Sequence, residues 1–202
     1  MTLWRAAAPL VLASRSKIRR ALLDAAGVAV EIAPSDVDER AVERAAPSNS
    51  PAAAAALLAR AKAMAVARAR PGRLVLGADQ VLALDGRRFT KPADRAAAHD
   101  QLRALAGRAH ELHSAVAFVQ DAAVLFEHVS TARLTMRNFS DDFLERYLDA
   151  AGAAATESVG AYQLEGLGVQ LFESVDGDYF TVLGLPLMTA MDFLRRRGCL
   201  PS

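Results

Sequence analysis

Residues 74–92 read LVLGADQVLALDGRRFTKP, and this stretch decides the fold. Leu74, Val75 and Leu76 form an apolar run of the kind a buried strand needs. Gly77-Ala78-Asp79-Gln80 interrupts it, and Val81-Leu82-Ala83-Leu84 resumes. Asp85-Gly86 is a tight-turn pair, so the chain is expected to double back as a hairpin whose return arm ends at Lys91-Pro92. An acid and an amide therefore sit where their neighbours exclude water. A buried carboxylate without a partner is costly, so Asp79 requires a cation, a metal or water beside it. Lys91, on the other arm, is a candidate cation. Gly77 and Ala78 leave space for something to approach the backbone. The plainer alternative makes Asp79 a turn or cap residue at a strand end.

Upstream of the hairpin, Pro9-Leu10-Val11-Leu12-Ala13 reads as a first buried strand. Ser14-Arg15-Ser16 follows, then an amphipathic helix with Ile18, Leu22, Leu23 and Ala26 inward and Gly27 as its stop. Strand, polar loop and helix in this order point free backbone N–H groups at an anion. The first turn also carries Arg15, Lys17, Arg19 and Arg20, cations at the helix end where the dipole disfavours them. A bound anion would compensate; a solvated basic face is the alternative. Residues 28–33 form a second strand, and residues 34–39 an acidic loop, whose Asp36, Asp38 and Glu39 either bind a divalent cation or make a solvated turn. Ser50-Pro51 starts an alanine-rich helix that reaches about Arg70 and carries Lys62.

Downstream, Asp94 caps a helix ending at Gly107, residues 111–119 alternate as a half-buried strand, and residues 124–136 read as a long one. His110 and His113 fall on opposite faces of such a strand, which argues against a zinc pair. Ser140 caps a further helix. Residues 158–168, with three glycines, Tyr162 and Glu165, read as a binding wall or a tight loop. Residues 169–175 and 179–182 are expected as a strand and its return, before a last helix with Leu187, Met191 and Leu194 inward. Strands alternating with helices and mixed with hairpins give an α/β fold with a mixed sheet.

The 202 residues fit one domain, 1–202. Lys and Arg number 24 against 23 Asp and Glu, a balance that argues against a nucleic-acid binder. The single cysteine, Cys199, excludes an internal disulfide and a cysteine metal cluster. No stretch approaches an uninterrupted membrane span and the N-terminus lacks a secretory pattern, so the expected location is the cytoplasm, without a membrane partner.

Several segments together resemble the Maf family of nucleoside triphosphate pyrophosphatases. They are Leu12-Ala13-Ser14-Arg15-Ser16 with Arg19-Arg20, Asp36-Val37-Asp38-Glu39, Ala59-Arg60-Ala61-Lys62-Ala63, and Gly77-Ala78-Asp79-Gln80-Val81 with Lys91-Pro92. Gly160-Ala161-Tyr162 through Glu165-Gly166-Leu167-Gly168, and Gly177-Asp178-Tyr179 with Gly184-Leu185-Pro186-Leu187, complete the set. The resemblance implies an elongated mixed β-sheet with two α/β lobes around a central cleft, of the Maf/ITPase-like kind, and a possible homodimer. It implies hydrolysis of a nucleoside triphosphate to the monophosphate and pyrophosphate with a divalent metal cation, Mg²⁺ or Mn²⁺. Asp79 then matches the catalytic acid and a metal ligand, Ser14, Arg19, Lys62 and Lys91 the phosphate-binding groups, and Glu39 a carboxylate that helps hold the metal.

Lys17 departs from the family, where Pro is usual at that place. The branch acting on dTTP and UTP carries Thr, Gln and Arg where this chain has Gln80, Glu165 and Ile18. Gln80 and Glu165 are similar to the branch associated with 7-methyl-GTP, although Gly160-Ala161-Tyr162 and Gly177-Asp178-Tyr179-Phe180 are similar to the other. Chemistry leans the same way, because guanine presents N1–H and NH₂, two donors that a carboxylate receives together. A nucleotide-binding regulator of cell division with little turnover is the rival class. The expected electrostatics are a depressed Asp79 pKa, set by lysines and metal.

Overall fold

The computed structural model describes residues 3–46 and 50–201. In chain order its elements are β1 (Leu10–Leu12), α1 (Lys17–Ala25), β2 (Val30–Ile32), α2 (Glu39–Ala45), α3 (Pro51–Arg68), β3 (Val75–Leu84) and β4 (Arg87–Phe89). Next come α4 (Arg95–Leu105), β5 (Ala109–Gln120), β6 (Ala123–Met136), α5 (Asp141–Ala151), α6 (Ala154–Glu157), β7 (Phe172–Asp176), α7 (Tyr179–Val182) and α8 (Leu187–Arg196). The seven-stranded sheet has the order β2-β1-β3-β5-β6-β7, with β4 also paired to β3. β1 is parallel to β2 and β3, and the remaining pairs are antiparallel, so the sheet is mixed as expected.

The hairpin is where the sequence placed it. Residues 77–80 break the apolar run but not the strand: the ladder of β3 with β5 is continuous from Val75↔Val119 to Ala83↔Glu111. Main-chain pairing is indifferent to which side chains are polar, and Asp79 and Gln80 simply point to opposite faces. Asp85 (φ 50°) and Gly86 (φ 78°) make the turn.

On its other edge β3 is only partly covered. β1 pairs with it at Val75 and Leu76, and β4 at Leu82, Ala83 and Leu84. Between them, among the described residues, residues 77–81 have a strand neighbour on the β5 side alone. Apolar packing divides on either side of this gap. Leu10, Leu12, Leu23, Leu76, Phe118 and Leu194 pack α1 and α8 on one face at one end of the sheet. Ala59, Ala63, Val66, Val75, Ala117 and Val119 pack α3 on the opposite face. Leu82, Leu102, Leu105, Leu134, Leu144 and Leu148 gather α4 and α5 at the far end. Two lobes thus share β3 and β5, with the gap between them. No helix among the described residues is long and apolar enough to cross a membrane.

Helix starts follow the capping signals. The side chains of Ser50, Asp94 and Ser140 accept from Ala53, Ala97 and Phe143 N at 3.4, 2.8 and 3.2 Å. The same chemistry explains two corrections. Residues 34–39 are not wholly loop: Asp38 accepts from Ala41 N at 3.0 Å and starts α2 at Glu39. Residues 179–182 are not a return strand: Asp178 Oδ2 accepts from both Thr181 N and Thr181 Oγ1 at 2.9 Å and winds them into α7. A local cap outweighs the strand preference of Tyr, Phe, Thr and Val. β2 begins at Val30 rather than Val28, and β7 at Phe172 rather than Val169, after a 3₁₀ turn over Leu167–Leu171.

Candidate active site

Asp79 is 7% exposed and lies at the middle of the β3 gap. Its side chain faces α3, and Lys62 of α3 donates to Asp79 Oδ1. The same ammonium lies 2.7 Å from Glu39 Oε1 at the start of α2. Two carboxylates from distant parts of the chain therefore converge on one lysine. Gly77 makes this possible. A Cβ there would overlap the carbonyl oxygen of Ala59 and lie 2.8 Å from the Cβ of Ala63. What approaches the backbone at Gly77, in the space the sequence leaves there, is therefore α3.

Arg19 completes the gap from the side of β1. In the parallel ladder Val11 N donates to Leu74 O and Ala13 N to Leu76 O. The next acceptor along β3 is Ala78 O, and there β1 has already turned away. Arg19 Nη1 takes that place at 2.8 Å, Nε donates to Gly184 O at 2.8 Å, and Nη1 also reaches Ser14 Oγ at 3.3 Å. The guanidinium thus plugs the end of the strand, and Nη2 remains for another partner. Ser14 Oγ accepts from Ser16 N at 3.2 Å, which leaves its O–H to donate.

Burial sets the electrostatics. It pushes the Asp79 pKa up, against the opposing pull of Lys62 and Arg19, with Glu39 adding to the rise. The depression expected from lysines and a bound metal does not follow from Lys62 and Arg19 alone, because loss of water around the carboxylate outweighs these two cations. Burial likewise lowers the Arg19 pKa, opposed by Asp79 and Glu39.

Gln80 belongs to the opposite face. Its amide nitrogen donates toward Ser114 Oγ at 3.0 Å, Thr181 O at 3.1 Å and Val182 O at 3.0 Å. Only the carbonyl Oε1 is left to meet a ligand, as an acceptor. Gly184, at φ 85°, lies between Gln80 and Arg19: a Cβ there would be 3.3 Å from Arg19 Nη2 and 3.6 Å from Gln80 Cδ. Ser114 and Thr181, both fully or nearly fully buried, were not singled out from the sequence. A serine directly before the apolar run 115–119 was the available signal; its pairing opposite Gln80 required the β3–β5 register.

Asp79, Lys62, Glu39, Arg19 and Ser14 are thus brought together, with Gln80 behind them. Lys91 and Glu165 are not joined to the cluster. Both are exposed, and neither forms a hydrogen bond or ion pair among the described residues. Lys91 lies beyond the last β3–β4 rung, Leu82↔Phe89; two more residues in the same register would bring it opposite Gln80. Ile18 is half-buried in the first turn of α1, beside Arg19. The loop expected to form a binding wall is partly core, since Ala161 and Tyr162 are buried and Tyr162 Oη meets His110 Nε2 at 2.7 Å. In the acidic segment each carboxylate has its own partner: Asp36 pairs with Arg15 at 2.9 Å, Asp38 caps α2 and Glu39 meets Lys62. No three His, Cys, Asp or Glu side chains group as a metal cage among the described residues.

The chain is similar to known proteins over most of its length. A nucleoside triphosphate pyrophosphatase of Rhodopseudomonas palustris (strain HaA2) is 54% identical over 200 residues, 99% of each chain. One of Bradyrhizobium diazoefficiens is 55% identical over 195 residues, 96% of each. A HAM1 protein from Coxiella burnetii is a solved structure with a TM-score of 0.43 and 16% identity, over 63% of this chain and 72% of its own. Residues 9–197 match the family described as Maf-like protein, and the chain belongs to that family.

Proposed function

We propose that the protein hydrolyses a nucleoside triphosphate to the monophosphate and pyrophosphate at the open edge of β3. The observation that carries this reading is the buried Asp79 held against Lys62, with Glu39 and Arg19 alongside. The family and the names of close relatives support it. The reaction needs water delivered in line to the α-phosphorus and a pyrophosphate leaving group whose charge is neutralised. Lys62, Nη2 of Arg19 and the Ser14 hydroxyl supply donors for phosphate oxygens, and Lys91 adds one from the end of β4. Asp79 accepts the proton of the attacking water, a role suited to a carboxylate that burial makes more basic.

Asp79 and Glu39 also fit a divalent cation. Mg²⁺ and Mn²⁺ take hard oxygen donors, and Mg²⁺ sites commonly use one or two carboxylates with the remaining positions left to water and substrate phosphates. Two carboxylates converging on the Lys62 ammonium provide that donor set. Held by Asp79 and Glu39, such a cation would supply positive charge against the phosphates and would make a bound water more acidic.

For the base we propose a guanine type, with 7-methyl-GTP foremost. With its nitrogen held by Ser114, Thr181 and Val182, Gln80 offers an acceptor, and the exposed Glu165 carboxylate offers another. Acceptors suit the N1–H and NH₂ donors of guanine. The test is pyrophosphate release from 7-methyl-GTP, GTP, UTP, dTTP and CTP with Mg²⁺ or Mn²⁺, for the intact protein and Asp79→Asn. Release from 7-methyl-GTP that the variant loses is the expected result. Preference for UTP or dTTP would retain the hydrolase and remove the guanine reading. Nucleotide binding without release would make the protein a regulator.

A further inference from the structure

Residues 178–184 brace two side chains of the site at once. The chain enters them at Gly177, whose φ of 128° is one that side chains rarely adopt, and a Cβ there would lie 2.9 Å from Cα of Ala132 on β6. Asp178 thus starts from a fixed point on the sheet. Its Oδ2 accepts from Thr181 N and from Thr181 Oγ1, both at 2.9 Å, and these bonds wind α7. The winding aims three main-chain carbonyls at the site. Thr181 O and Val182 O receive Gln80 Nε2 at 3.1 and 3.0 Å, and Gly184 O receives Arg19 Nε at 2.8 Å.

Thr181 O is the hub. Besides Gln80 it accepts from Ser114 Oγ at 2.7 Å and from Gly184 N at 3.1 Å. Ser114 lies opposite Gln80 in the β3–β5 ladder, and its hydrogen is engaged by Thr181 O, so its oxygen accepts from the Gln80 amide. Gln80 therefore meets three acceptors, and a flipped amide would set Oε1 against all of them. The bond from Gly184 N ties the same hub to the residue whose carbonyl holds Arg19. One turn of chain thus fixes an amide on one side of Gly184 and a guanidinium on the other.

We propose that Asp178 is a positioning residue for the hydrolysis, acting through α7 to hold Gln80 and Arg19 in one relation, so that base selection and triphosphate binding are set together. This rests on the nucleotide reading of the site. Among the described residues the Asp178 carboxylate has hydrogen bonds only to Thr181. Without that cap Thr181 N and Oγ1 lose their acceptor, and the Thr181 and Val182 carbonyls are free to turn away from Gln80. An amide no longer held one way presents its NH₂ as readily as its C=O. It then ceases to distinguish the N1–H of guanine from a carbonyl of uracil. Misplacement of about 1 Å by a change remote from the chemistry can cost about a hundredfold.

The test is base discrimination by the full chain. The ratio of kcat/KM for 7-methyl-GTP and UTP is measured with Mg²⁺, and the ratio of their dissociation constants serves if turnover is absent. Whichever base the wild type prefers, Asp178→Ala is expected to move this ratio about tenfold or more toward one. It is also expected to weaken inhibition by inorganic triphosphate, which lacks a base and reports on the Arg19 side. Asp178→Asn, whose Oδ1 can accept both bonds, is expected to restore both readouts. In a Gln80→Ala background, Asp178→Ala is expected to leave the ratio unchanged. Loss of stability alone would not move the ratio, because it lowers the folded fraction equally for every nucleotide. An unchanged ratio in Asp178→Ala would overturn the proposal, as would an equal change with and without Gln80, or a wild type that does not discriminate. A UTP preference that Asp178→Ala erases would refute the guanine reading and support this one. A wild type that binds neither nucleotide would refute both. Should Asp178→Ala fail to fold, Thr181→Val, which keeps the shape and loses only the Oγ1 bond, is expected to shift the ratio the same way, and no shift there would overturn the proposal.

Discussion

Lys62 reaches Asp79 because Gly77, two residues earlier on β3, has no side chain. The backbone of α3 at Ala59 and Ala63 rests on that glycine, and Lys62, in the turn between them, delivers the ammonium to the carboxylate. The proposed catalytic geometry and the core packing therefore share one contact.

Gly77→Ala should damage both. The added methyl would strike main chain on α3, which cannot swing aside as a flexible side chain does. Overpacking of this kind costs about 1–3 kcal/mol. Unfolding in urea should show that loss, and the surviving folded protein should turn over slowly because Lys62 is displaced. Unchanged turnover in a destabilised variant would separate the packing from the positioning.

Lys62 holds two carboxylates, one of them buried, so its removal leaves Asp79 without its closest cation. Breaking a buried ion pair from one side costs about 3–5 kcal/mol. Lys62→Met should therefore lower stability and turnover together. Adding Asp79→Asn to Lys62→Met should recover much of the stability and none of the activity. Equal melting of single and double variants would mean that the pair contributes little to the fold.

Much of this was legible in the sequence, for local reasons. Hairpin, caps and helix stops are written in adjacent residues, and Asp79 stood out because a carboxylate in an apolar run needs a partner. Which partner was another matter. Lys62 and Glu39 come from elements whose packing depends on Gly77, and the glycine alone does not say whether a ligand or a helix will occupy the space. The holders of Gln80, Thr181 and Val182, lie about a hundred residues away and act through main-chain carbonyls, which carry no sequence signal. Arg19 in place of the next β1 residue follows only from the point at which two strands part.

Lys91 offers a contrast to Lys62. It is exposed and without a polar partner among the described residues, so its loss should leave stability within about 0.5 kcal/mol. Its place, two residues past the last β3–β4 rung, suits a group that engages when substrate arrives. Lys91→Ala should lower kcat/KM about tenfold or more, the usual scale for a charged hydrogen bond to a phosphate. Full activity in Lys91→Ala would remove it from the phosphate-binding set.

His110 gives the fold a pH dependence of its own. Buried against Tyr162 and Phe172, with Nδ1 unpartnered, it is held neutral, its pKa lowered by burial from 6.5 to about 4. The unfolded chain protonates this residue first as pH falls. Its contribution to stability is thus complete above the unfolded value, declines from there toward about 4, and levels off below. By pH 5 the loss amounts to about 2 kcal/mol. Urea unfolding at pH 7 and pH 5 should show a smaller drop for His110→Gln, which keeps a polar partner for Tyr162 and does not titrate. Equal drops in both proteins would assign the acid sensitivity to other groups.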